Sequence, residues 1–100
     1  MKHIIISKTY GVFIGTVSNY CIFSKSELAM TYKAYAFDSN SDAKKYINSN
    51  FKSKDKEDFF VADIETNDEY VSCVEIIKSG YADHVGNMMN FMPMISESIH

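Results

Sequence analysis

The chain has 100 residues, 46% of them apolar and 23% charged, with a formal net charge of -3. That length makes one domain with a single modest core, and that balance of residues excludes global disorder. No apolar run approaches the ~20 residues that cross a bilayer, and the opening MKHIII is too short an apolar stretch for a secretion signal, which places the expected protein in a cytoplasm.

Charge is unevenly placed. Residues 1–56 carry nine lysines against four acids, a balance of plus five, whereas residues 57–100 carry Lys78 against nine acids, a balance of minus eight. Every basic residue is lysine. Without the planar fork of arginine the chain lacks the side chain best suited to gripping phosphate or guanine at two points, which disfavours sequence-specific nucleic-acid reading.

The first quarter reads as an antiparallel meander. Lys2 to Lys8, with three consecutive isoleucines, suits a strand covered on both faces. Thr9 to Gly11 make a turn, Val12 to Val17 a second strand with Gly15 as a bulge point, Ser18 and Asn19 a second turn, and Tyr20 to Ser24 a third strand. Lys25 to Thr31, opened by the capping pair Ser24 and Glu27, predicts a short helix or turn.

The best-specified stretch follows. Tyr32 to Phe37 alternates small and aromatic residues as a strand does, ending on an inward Phe37. Asp38, Ser39, Asn40 and Ser41 then offer acceptors for the free N–H groups of a helix start, and Asp42 suits the positive end of the helix dipole. Ala43, Tyr46 and Ile47 fall on one side, so the spacing predicts a helix over Ser41 to Phe51 lying on the sheet, with Lys44 and Lys45 in water. Residues 51–58 read as a charged, solvated loop.

Asp58 to Ile64 and Tyr70 to Ile77 are strand-like runs separated by Glu65 to Glu69, which predicts a hairpin with an acidic turn. The last twenty residues collect Met88, Met89, Met92 and Met94 around Phe91, interrupted by Gly86 and Pro93. A helix from Ala82 to Phe91 would set Val85, Met88, Met89 and Met92 on one side, either completing the core or offering an adaptable patch to a partner. The expected fold is one α+β domain spanning residues 1–100, with an antiparallel sheet of five or six strands, one main helix packed on one face and a short C-terminal helix.

No short motif for catalysis is present. The four glycines are dispersed, so no phosphate-cradling loop forms, and no nucleophile elbow or paired-histidine metal helix occurs. Cys21 and Cys73 sit in strand-like runs and read as small buried hydrophobes. His3, His84 and His100 lack ligand spacing, so no metal and no cofactor is expected. Asp63 and Glu65, on one strand face, read as solvated. The strongest signal is the run Glu57, Asp58, Asp63, Glu65, Asp68, Glu69 and Glu75, seven acids without an intervening base, a surface that would attract a basic protein patch. Lys44, Lys45, Lys52, Lys54 and Lys56 form a weaker basic cluster that would support only nonspecific nucleic-acid binding.

The order of a short first strand, Gly11 to Gly15 (GVFIG), Ala34 to Phe37 (AYAF) and Asp38 to Ile47 (DSNSDAKKYI) resembles that of small accessory proteins of tailed bacteriophages, including the T-even type. The resemblance covers residues 1–50 and carries over no functional residue. It implies a non-catalytic protein that acts in the host cytoplasm by binding and disabling a host enzyme or defence complex. The expected partner-binding residues, from charge and composition, are Asp63, Glu65, Asp68, Glu69, Met88, Met89 and Met92. A homodimer is an open alternative, as are a small-ligand or nucleotide-binding protein with a tyrosine-lined pocket between helix and sheet, and a lysine-driven nucleic-acid binder.

Overall fold

A computed structural model describes residues 1–25, 33–51, 56–81 and 88–93. The expected turn or helix at Lys25 to Thr31, apart from Lys25 itself, lies outside them. Three strands, β1 (Lys2–Ser7), β2 (Gly11–Val17) and β3 (Tyr20–Lys25), form the expected meander. Then come β4 (Lys33–Tyr35), the main helix α1 (Asn40–Asn50), a short 3-10 turn at Lys56–Asp58, and β5 (Phe59–Ile64). The chain continues with β6 (Tyr70–Ser72), the second helix α2 (Cys73–Lys78) and β7 (Met88–Pro93). Five strands make one antiparallel sheet in the order β5-β1-β2-β3-β7, and β4 pairs with β6 in a second, two-stranded sheet. The class is α+β, as the sequence predicts.

β1 is the centre of the packing. Its side chains alternate between the two faces of the sheet, yet Ile4, Ile5 and Ile6 are each 0% exposed, so both faces are covered. Ile5 joins Phe13, Cys21, Phe23 and Phe59 beneath Ala43 and Ile47 of α1 and the adjoining Phe51. Ile4 and Ile6 join Val12, Ala62 and Ile64 against Ala34 of β4, Val71 of β6 and Ile76 of α2. At about 1.5–3 kcal/mol for each fully buried isoleucine, this one tripeptide supplies much of the drive that orders three layers.

β1 and β2 are paired only beside their shared turn, at Ile6 with Val12 and Ser7 with Gly11. Farther along, His3 is bridged to Phe37, whose N–H donates to the His3 carbonyl at 2.7 Å and whose carbonyl accepts from the His3 N–H at 3.0 Å. Phe37 thereby anchors the α1 entry to the core strand. The register of β2 against β3 shifts between Phe13 and Gly15, and Gly15 has φ +142°, the bulge that the glycine in VFIGTV predicts. α1 starts where expected, because the Ser39 side chain accepts from the Asp42 N–H at 3.0 Å.

Three expectations are corrected. Tyr70 to Ile77 is not one strand: it is strand only to Ser72, after which a capping box starts α2. The Ser72 hydroxyl accepts from the Glu75 N–H, and the Glu75 carboxylate accepts from the Ser72 N–H at 3.0 Å. The expected hairpin of β5 with β6 does not form. β5 pairs instead with β1 over the full Phe59 to Ile64 register, because a largely apolar six-residue strand gains more beside the buried isoleucines than beside the three residues of β6. Finally, Met88 to Phe91, expected to end a helix from Ala82, belongs to β7, paired along β3 from Tyr20–Pro93 to Lys25–Met88. Gly86, Asn87 and Asn90 are weak helix formers, and the open flank of β3 offers a complete ladder, so strand wins; Pro93 is tolerated at an edge. Residues 82–87, including Val85, lie outside the described residues, as does the disposition of the Met88, Met89 and Met92 side chains.

Candidate functional site

The seven acids separate into two groups by what they touch. Asp58 is structural: it accepts from the buried Ser7 hydroxyl, from the Thr9 N–H at 3.0 Å and from the Thr9 hydroxyl at 2.8 Å. Ser7 in turn accepts from the Tyr10 N–H at 2.8 Å, so the start of β5 is tied to the turn between β1 and β2. Asp63 lies opposite His3 in the β1–β5 register, and its carboxylate meets the His3 Nδ1 at 2.6 Å. Glu75 completes the capping box of α2. Glu57 is exposed beside Asp58 at the start of β5.

Glu65, Asp68 and Glu69 differ from these. They occupy the connection from β5 to β6, they are exposed, and among the described residues their carboxylates have no ion-pair or hydrogen-bond partner. The connection therefore presents three exposed carboxylates, unpaired among the described residues, from the end of the large sheet to the start of the small one. Asp63 lies just before it. Met88, Met89 and Met92 are placed elsewhere, on β7 at the opposite edge of the five-stranded sheet from β5. The acidic connection and the methionine-bearing strand thus belong to different edges of the large sheet.

The structure adds an aromatic component that sequence reading missed. Tyr35 of β4 and Tyr70 of β6 are direct cross-strand partners with ring centroids 6.2 Å apart. They are 38% and 45% exposed. Tyr35 stacks on Phe37 at 4.8 Å and 19°, and Phe37 packs on the half-buried Tyr46 at 5.3 Å. A line of rings thus runs from solvent to the core under α1. The clue was the A-Y-A-F alternation: Ala34 and Ala36 turn inward to the second core, which sends Tyr35 to the same side as Phe37 but one pair farther out. Tyr70 follows directly on Glu69, so the exposed ring and the acidic connection adjoin in the chain.

Electrostatics elsewhere serve the fold. The Lys2 ammonium donates to the Asp38 carboxylate at the entry to α1 and, by that hydrogen bond and then by charge, holds the carboxyl below its ordinary value. Burial pushes the Cys21 thiol up to about 11 and the Tyr46 hydroxyl up to about 12, so both are neutral over the physiological range. Under α1 the phenylalanine rings pack on one another: Phe51 meets Phe13 and Phe23 at 5.3 Å each and Phe59 at 4.8 Å. Of the basic cluster, Lys44 and Lys45 are exposed on α1, while Lys52 and Lys54 lie outside the described residues. Among the described residues no helix is long and apolar enough to cross a membrane, and no three His, Cys, Asp or Glu side chains are grouped to hold a metal. No family model matches the chain, and no curated protein and no solved structure matches it either.

Proposed function

We propose that the chain is a non-catalytic protein-interaction module, a phage-encoded inhibitor of a host enzyme or defence system acting in the host cytoplasm. The observation that carries this reading is the fate of the acids. Those at 58, 63 and 75 are tied into the fold, whereas Glu65, Asp68 and Glu69 are held in solvent on a connection fixed at both ends by strands. Charges left unpaired serve encounter: they steer a basic surface toward the protein and set its orientation. The exposed Tyr35 and Tyr70 beside them supply the amphipathic contact area typical of interface centres. The likeness of residues 1–50 to phage accessory proteins supplies the biological setting.

Affinity capture from bacterial lysate tests the proposal. The wild-type chain is expected to retain a stoichiometric protein partner, and the triple variant E65Q/D68N/E69Q is expected to lose it, with capture falling as salt rises. Equal capture by wild type and variant would remove the acidic connection from the reading. Self-association is a second reading, favoured by β7, an edge strand of the large sheet whose MMNFMP sequence carries no charge to discourage pairing. Sedimentation at rising concentration distinguishes a monomer from a dimer.

A further inference from the structure

Within the interaction reading just given, on which this step rests, we infer that Tyr35 and Tyr70 form a docking site for an arginine side chain on a basic segment of the partner. The two rings are opposed across the β4–β6 pair, 6.2 Å apart, with their planes at 43°. With both rings partly exposed and their centroids this close, one planar cation on their solvent side lies within ~6 Å of both, the range over which the ring quadrupole attracts it. Tyr35 is already ordered by its stack on Phe37, which is 8% exposed and braced by Tyr46. Little side-chain freedom is then lost when the site fills.

The sign of the occupant follows from the surroundings. Glu69 immediately precedes Tyr70, and Asp68 and Glu65 stand on the same connection, all exposed and unpaired among the described residues. That arrangement repels phosphates and carboxylates and favours a cation. Arginine fits better than lysine, because its flat guanidinium stacks on a ring while its outer N–H groups reach a carboxylate.

The test is titration of the isotopically labelled full chain with three peptides of equal length, alternating glycine with arginine, lysine or citrulline, followed by the ring resonances of Tyr35 and Tyr70. The arginine peptide is expected to shift both rings, the lysine peptide to do so at higher concentration, and the uncharged citrulline peptide to leave them in place. Y35L and Y70L are expected to weaken arginine-peptide binding roughly two- to fivefold each, whereas Y35F and Y70F, which keep the ring, retain it. Both tyrosines are substantially exposed, so the variants are expected to keep the wild-type circular dichroism. Equal shifts with citrulline, or unchanged affinity in Y35L and Y70L, overturn the arginine site. The two readings fail separately. Lysate capture lost in E65Q/D68N/E69Q but intact in Y35L/Y70L overturns the arginine site alone, and peptide binding with no captured protein supports the site while refuting the wider proposal.

Discussion

Replacing Asp58 by alanine strikes the side-chain lock that joins β5 to the β1–β2 turn and leaves the Lys8 N–H bond to the residue 58 carbonyl in place. The carboxylate receives three donors, from the Ser7 hydroxyl, the Thr9 N–H and the Thr9 hydroxyl. Thr9 is exposed and its hydroxyl turns to water after the substitution, while its N–H keeps a bond to Ser7 Oγ at 3.2 Å. Ser7 is 0% exposed, so its hydroxyl proton is stranded without an acceptor. Loss of a charge-assisted bond together with one buried unsatisfied donor costs about 2–4 kcal/mol, which for a domain of this size lowers the melting temperature by roughly 10–25 °C. Urea unfolding followed by circular dichroism measures the loss, and a double-mutant cycle with S7A assigns it. A Ser7–Asp58 coupling of at least ~1 kcal/mol is expected. A D58A loss below ~0.5 kcal/mol, or strictly additive effects of S7A and D58A, would refute the reasoning.

Three further outcomes are expected. S72A removes the acceptor for the Glu75 N–H and is expected to cost about 1 kcal/mol in urea unfolding, with amide exchange in Cys73–Lys78 accelerating first. G15A meets no steric neighbour, but φ +142° suits only glycine, so a loss of about 1–3 kcal/mol is expected from backbone strain alone. Cys21 and Tyr46 bind their protons more tightly folded than unfolded, so the unfolded chain ionises first. Stability is expected to be fully present below pH 9, the ordinary thiol value, and to fall as pH rises through about 11 and 12; urea midpoints across that window, compared with C21A, check the direction.

How much of this was legible in the sequence depends on whether the deciding signal was local. Ser39 with Asp42, Gly15 and the Ser18–Asn19 turn act within a few residues, and each stands where the sequence places it. α2 was equally local, since Ser72 and Glu75 form the same capping pattern, but the β-branched Val71, Val74, Ile76 and Ile77 around it read as strand. The partner of β5 was not local. Only the burial of β1 on both faces explains why Phe59–Ile64 crosses to it instead of folding back on Tyr70, and nothing in the run itself states that choice. The same holds for the site: the acids were countable, but which of them the fold consumes, and the meeting of Tyr35 with Tyr70, depend on a pairing between segments 35 residues apart.

Hydrogen exchange on the chain, alone and bound to the protein it captures, tests most directly whether the acidic connection and its tyrosines are the working surface. Protection is expected at residues 65–72 and 33–37, with β2 and β3 unchanged. Protection confined to α1 or β7, or turnover of a substrate by the purified chain, would contradict the account.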